Sequence, residues 1–361
     1  MPTPRKTLVF GPAYVDRVLK VDRPLVENGV IDRSVNGRWD VDSGPDGALR
    51  IAGLSEGDVR IEPPAEWPGP TGTVIVGDAS AGHPAREVRG IAWHDDLGGM
   101  GAGFARAFGG TLHLLLGDES EPIGRRVIEL LDGLGIAHKA THIPGRIGEW
   151  TLLITSGEFG DKLPIGFRDP GNNDARIDRV EPCDLLVAAS MTNRRAAAVL
   201  SGVEAHVRLF APAMRNATDT EPKVSAFAGD IDILCCNRVE WESIADREEV
   251  AWRVSILAVT DGPRGAEIRY TTPTGDAGRL EISAFPRREP PKDTNRAGEA
   301  FASTLVTTLL DGGWSPGVTE EGLIRSAAVR ASAAAALELD RVDFGFPTPE
   351  EVDRALRDGI V

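Results

Sequence analysis

The run Asp293-Thr294-Asn295-Arg296-Ala297-Gly298-Glu299-Ala300-Phe301 holds the residues of this chain best placed to do chemistry. Past it, Ala297 to Leu310 carries small and apolar residues on a helical period with no proline, so Ala297, Gly298 and Glu299 fall in the first turn of a helix. Backbone N–H groups at that end have no partner inside the helix, and the helix dipole turns its positive end the same way, which makes the turn an anion site. A carboxylate beside those amides can accept the proton of a hydroxyl while the amides hold the phosphoryl group that the hydroxyl attacks. The layout suits phosphoryl transfer.

Such a turn needs a scaffold. Apolar runs of strand length at Thr7-Phe10, Thr111-Leu116, Trp150-Thr155, Leu185-Ala188, Val207-Ala211, Ile233-Cys236 and Ser255-Thr260 alternate with amphipathic stretches. The helices fall at Gly103-Phe108, Gly124-Leu134, Val239-Ala245, Ala297-Leu310, Glu321-Leu337 and Pro349-Arg357. That rhythm predicts an α/β protein with a mostly parallel sheet covered on both faces, whose ligands lie where strands end and helices begin.

Between Asp22 and Asp96 the rhythm breaks into Gly, Pro, Asp and Glu, with short strand-like pieces at Arg50-Ala52, Val59-Ile61 and Thr73-Val76. A structureless loop of that length is unusual in a compact domain, so a folded β-rich insertion is expected. The division is residues 1–21 and 97–361 for the core and 22–96 for the insertion. Ahead of the glycine cluster at Leu97-Ala105, the segment Ala92-Trp93-His94-Asp95-Asp96 reads as a poor strand, and the spacing does not fit a dinucleotide fingerprint.

The 361 residues are 41% hydrophobic, ample for a sizeable core, and the net charge of -15 argues against nucleic acid or an anionic membrane as the main partner. Met1 to Lys6 is polar and the apolar run after it is too short for a signal peptide or a membrane span, so a cytoplasmic enzyme is the default. Cys183, Cys235 and Cys236 form no disulfide framework and read as reduced core thiols. His138 and His142 stand at helical spacing but with no Cys or carboxylate set beside them, which makes a transition-metal site there improbable.

The Asp293–Phe301 run resembles the C-terminal signature of the ribokinase-like (PfkB) carbohydrate kinases, Asp-Thr-x-Gly-Ala-Gly-Asp-x-Phe. Asp293, Thr294, Ala297, Gly298 and Phe301 match; Arg296 stands where the family has its first Gly, and Glu299 where it has the catalytic Asp. Other pieces follow in the family's order: Leu8-Gly11 with Asp16, the Gly-Gly loop at Gly98-Gly99 with Gly103 in place of the family's Asn, Gly117-Asp118 with Gly124, Gly171-Asn172-Asn173, Asn237 to Glu240, and Thr260 to Gly265.

The resemblance implies a three-layer α/β/α fold with a small β-sheet lid, which in the family closes over the sugar and often forms the dimer contact. It implies an ATP- and Mg2+-dependent phosphotransferase acting on a hydroxyl of a sugar or nucleoside-like molecule, and it leaves a monovalent cation and a homodimer through the lid open. Glu299 would be the base and the Ala297 and Gly298 amides the anion hole. Asp16, Gly98, Gly99, Gly103 and Asn172 would meet the acceptor. Asn237, Thr260, Gly262, Gly265, Asp293 and Thr294 would line the nucleotide, with Glu240 near the metal.

Each role has a plainer counterpart. On the residues alone Asp16 reads as a solvated turn carboxylate ending the first strand, a reading that the other motifs reverse; Thr260 to Gly265 also reads as a hairpin turn, and Asn237 with Glu240 as a helix cap. The added methylene of Glu299 moves its oxygens by about an ångström, which can cost on the order of a hundredfold in rate. Arg296 would either obstruct the phosphoryl group or clamp it. Two functions follow: a kinase, or a non-catalytic descendant that binds nucleotide or sugar in a regulatory or structural role. Lid and loop side chains would set the substrate.

Overall fold

The computed structural model describes residues 5–22, 40–43, 49–52, 59–62, 86–155, 162–167, 180–219, 221–271, 277–317 and 320–361. In chain order the strands begin with β1 (Thr7–Phe10), β2 (Tyr14–Val21), β3 (Asp40–Ser43), β4 (Leu49–Ala52), β5 (Val59–Glu62), β6 (Arg86–Gly98), β7 (Thr111–Leu116) and β8 (His138–His142). They continue with β9 (Trp150–Thr155), β10 (Lys162–Phe167), β11 (Cys183–Ala189), β12 (Ala205–Ala211), β13 (Ile233–Asn237), β14 (Ile256–Thr260), β15 (Ala266–Thr271) and β16 (Ala277–Ile282). The helices are α1 (Met100–Phe108), α2 (Pro122–Gly133), α3 (Asn193–Gly202), α4 (Met214–Thr218), α5 (Arg238–Ser243), α6 (Arg247–Arg253), α7 (Ala297–Asp311), α8 (Glu321–Glu338) and α9 (Pro349–Asp358).

Nine strands make the larger sheet in the order β16-β15-β14-β13-β12-β11-β1-β7-β8. From β8 to β14 every pairing is parallel, and only the β14–β15 and β15–β16 pairings are antiparallel, so β15 alone runs against the other strands. Both faces are covered because successive strand residues point to opposite sides. In β1, Val9 enters the core built with α1, α2, α7 and α8, whereas Leu8 and Phe10 enter the core built with α3, α5 and α6. Each such side chain, fully buried, contributes about 1.5–3 kcal/mol of transfer free energy. The α/β/α architecture expected from the sequence is therefore present.

The smaller sheet has seven strands in the order β10-β9-β2-β6-β5-β4-β3. It takes β3 to β5 and most of β6 from the 22–96 segment, and β2, β9 and β10 from outside it. Thr73-Val76 lies outside the described residues. Three expectations change here. Ala92–Asp96 is not a poor strand: it belongs to β6, because inward-facing Asp95 is paired with Arg17 on β2 at 2.9 Å, both side chains being nearly buried. Trp93 and Trp150 flank the same guanidinium, each 5.6 Å from it. Asp16 does not end the first strand but lies inside β2, and His138 and His142 stand at the two ends of a strand, so their spacing is not helical.

Candidate active site

The Asp293 turn is built by local hydrogen bonds. The Asp293 carboxylate accepts the Asn295 N–H at 2.9 Å, and the N–H groups of Lys292 and Asp293 donate to the Leu339 carbonyl at 2.8 and 3.2 Å. Arg296 then caps α7 with φ 63° and ψ -4°, a left-handed conformation that a glycine would adopt without cost. The turn thus keeps a glycine-type backbone with an arginine in it. Ala297, Gly298 and Glu299 occupy the first turn of α7, and an added Cβ at Gly298 would meet only open space. The amide end of the helix is therefore approachable by an anion.

The Arg296 side chain is committed elsewhere. Its Nε donates to Glu338 Oε1 at 3.1 Å and its Nη2 to the Asp343 carbonyl at 2.9 Å, with Asp293 at 4.0 Å and the Phe344 ring 5.2 Å from the guanidinium. Glu338 is fully buried at the end of α8. Burial pushes its carboxyl up to about 7 in spite of the Arg296 partner, and its Oε2 has no hydrogen bond. Arg296 therefore ties the anion turn to the C-terminal segment.

Glu299 is half-buried, and desolvation raises its pKa while its own backbone N–H and the Arg296 charge act in the opposite sense. It faces α1. A Cβ at Gly103 would stand 3.3 Å from both Cγ and Oε1 of Glu299, so the longer acid occupies the space that a side chain at position 103 would need. Two of the three departures from the kinase pattern, Gly103 and Glu299, thus meet in space.

Asn237 and Glu240 meet at the start of α5. The Asn237 side chain accepts the Glu240 N–H and the Glu240 carboxylate accepts the Asn237 N–H, both at 2.9 Å, a reciprocal cap on α5. The cap and a ligand role are compatible, because Glu240 also feels Glu299: burial and that like charge raise its pKa to about 7. Beside it, Thr260 pairs in register with Asn237 at the end of β14, and its hydroxyl donates to the Cys236 carbonyl at 3.4 Å. Gly262 and Gly265 then carry positive φ in a short turn into β15. At Gly265 a Cβ would fall 2.0 Å from the Ile282 carbonyl, so no side chain fits.

Among the described residues, no group of three or more His, Cys, Asp or Glu is placed to hold a metal ion. Mg2+ rarely needs one, since it keeps several waters and binds through one or two carboxylates plus substrate phosphates. Glu240, next to Glu299, fits that limited demand.

Asp16 lies over Gly98: a Cβ at position 98 would collide with its carboxylate. Gly99 caps α1 with φ 97°, and a Cβ there would come within 2.5 Å of the Pro12 carbonyl. These glycines let the β1–β2 connection and the start of α1 approach each other, with Asp16 at one end and Gly103 at the other. Asn172 lies outside the described residues. Sequence reading missed Glu338 altogether, and it passed over α3 and its Arg195, although a Thr-x-x-Arg helix start after a buried strand was visible at Thr192.

No protein-family model matches the sequence, and no curated protein does. Solved structures do match. A nucleoside kinase of Methanocaldococcus jannaschii, described as an archaeal member of the ribokinase family, superposes with a TM-score of 0.65 at 13% identity, covering 98% of each chain. A nucleoside kinase of Burkholderia thailandensis, in complex with inosine, gives 0.61 at 14% identity over 98% of each chain. A ribokinase of Cryptococcus neoformans var. grubii serotype A, in complex with ADP, gives 0.56 at 14% identity over 97% of this chain and 99% of that one. The fold of this chain is that of the ribokinase-family kinases. No helix among the described residues is long and apolar enough to cross a membrane.

Proposed function

We propose that this chain is an ATP-dependent phosphotransferase that phosphorylates a hydroxyl of a sugar or nucleoside-like molecule. The observation that carries this is Glu299, a half-buried carboxylate with a raised pKa, in the first turn of α7 beside the Ala297 and Gly298 amides. A base matched to its task needs such a raised pKa, and the amides lie where charge develops in the transition state. Proteins with the same fold include a nucleoside kinase and complexes with inosine and with ADP, which supports the choice of substrates.

The acceptor hydroxyl would enter between Asp16 and Gly98-Gly99 and give its proton to a Glu299 carboxylate oxygen. Its oxygen attacks the γ-phosphorus as the bond to ADP breaks, and the helix amides receive the phosphoryl charge. Asn237, Thr260, Gly262, Gly265, Asp293 and Thr294 would line the nucleotide. Glu240 would hold Mg2+, directly or through water, and the ion would neutralise the phosphate oxygens. Arg296 serves as a positioning residue that fixes the turn. The second sheet, including the 22–96 segment, would act as a lid that excludes water from the transfer.

ADP formation from Mg-ATP against a panel of sugars and nucleosides, with Glu299→Gln alongside, tests this. Acceptor-dependent turnover that falls by at least a hundredfold in the variant is expected, with nucleotide affinity retained. Nucleotide binding without turnover on any acceptor would instead favour a regulatory or structural role.

A further inference from the structure

A second charged feature lies beyond the phosphoryl-transfer turn. Arg195, in the first turn of α3, is 9% exposed, and its Nη1 is buried without a hydrogen-bond partner. A guanidinium loses its hydration on burial and normally recovers it from a carboxylate or from carbonyls. Among the described residues, no carboxylate is paired with it. Its pKa falls to about 10 through desolvation alone, without a charged neighbour pulling the other way.

The arginine lines a cleft of about 40 Å3 together with Arg215, Ser190, Glu149 and the Gly11–Tyr14 segment. That volume holds a few waters or one small anion. The cleft opens where β1 and β11 end, the edge at which α/β sheets bind ligands. Ser190 closes β11 with φ 45°, a conformation rare outside glycine and common at functional sites. The two arginine-bearing segments are pinned together. Asn193 and Asn216, both almost fully buried, join side chain to side chain at 2.8 Å, and Asn193 also donates to the carbonyls of Asp219 and Pro222. The Gly11–Tyr14 wall is the same segment on which Gly99 and Gly101 pack, so the cleft adjoins the acceptor side of the candidate site.

We infer that the cleft is an anion subsite for the acceptor: Arg195 receives a phosphate or carboxylate group on the molecule whose hydroxyl is phosphorylated. This rests on the kinase reading for the word acceptor, but the anion site stands or falls separately. Glu149 on the same wall marks the competing arrangement, in which the protein's own carboxylate meets the arginines and no ligand anion is taken.

The test uses the full chain and acceptors in matched sets of one skeleton: neutral, phosphate monoester and carboxylic acid. Phosphate and carboxylate are thereby told apart. The anionic member is expected to have the lower KM. Its advantage should shrink roughly ten- to hundredfold in Arg195→Met, the worth of a charge-assisted hydrogen bond, and return in part in Arg195→Lys. Orthophosphate and acetate should raise the thermal midpoint of the unmodified protein by more than that of Arg195→Met, and that difference is a readout independent of turnover. Arg195→Met removes an unpaired buried charge and should fold at least as stably as the parent. If no acceptor turns over but orthophosphate protection depends on Arg195, the anion site stands and the kinase reading fails. If neutral acceptors are preferred and neither anion protects, the inference is overturned and the kinase reading survives.

Discussion

Replacing Arg296 by glycine sets two magnitudes against each other. A left-handed backbone costs a non-glycine residue about 1–2 kcal/mol, which Arg296→Gly would release. Against it stands the loss of the guanidinium that faces Glu338 at 3.1 Å, with side-chain exposures of 14% and 0%. Removing one half of a buried ion pair costs about 3–5 kcal/mol, because the other charge is left without compensation. The pair therefore wins, and a net loss of about 2 kcal/mol is expected wherever Glu338 is ionised.

The pH dependence is the sharper part. Glu338 has a folded-state pKa of about 7, above the ordinary 4.5, so the native state binds the extra proton and stability falls as pH rises through that window. Without Arg296 the folded pKa rises further, and each additional unit adds about 1.4 kcal/mol to the loss above pH 7. Below pH 5 Glu338 is protonated in both proteins, and most of the penalty disappears. For 361 residues, about 2 kcal/mol lowers the thermal midpoint by roughly 3 °C. Thermal and urea midpoints at pH 5 and pH 8 for the parent, Arg296→Gly, Glu338→Gln and the double variant measure this. A stability difference that is the same at both pH values, or that Glu338→Gln does not shrink, would refute the electrostatic account.

Gly103→Ala should push Glu299 by a few tenths of an ångström, since a Cβ there stands 3.3 Å from its Cγ and Oε1, and turnover should drop several-fold to tenfold with little loss of fold. The paired change Gly103→Asn with Glu299→Asp should recover more activity than either alone, read from kcat in a double-mutant cycle. The raised pKa of Glu299 places the acid limb of kcat/KM above the ordinary carboxylate range, with activity rising with pH as the base ionises. A profile with no acid limb above the ordinary carboxylate range would remove Glu299 from that role. Because Glu240 titrates beside it, at about 7, the observed limb belongs to the pair.

The parts legible in the sequence were contiguous. Asp293 to Phe301 carries its turn, helix start and acid within one run, and β1, β7, β11 and β14 declare themselves by apolar runs. Interactions distant in sequence left no such mark. Asp95 makes Ala92–Asp96 look unlike a strand until Arg17 is placed opposite it in register. Glu338 reads as one more acid at the end of an alanine-rich helix, although it holds Arg296. Arg195 reads as a surface arginine in a helix start, because nothing local says that the surrounding segments will bury it.

The three unusual residues of the candidate site also change meaning once they are placed. Read singly, Arg296, Glu299 and Gly103 are losses: a bulky cation for glycine, an overlong acid and a missing amide. In the fold, the arginine keeps the glycine-type φ of 63° and sends its side chain to Glu338 and the Asp343 carbonyl. The added methylene of Glu299 uses the volume left open at Gly103, so length gained on α7 is matched by side chain lost on α1. Close packing leaves little room for either change alone. Substitutions accumulating in an idle site need not compensate one another, whereas a carboxylate kept beside an open amide turn must. The matched pair therefore favours a retuned catalytic site over a non-catalytic one, and the Gly103–Glu299 double-mutant cycle decides it: additive effects would mean the match is coincidental.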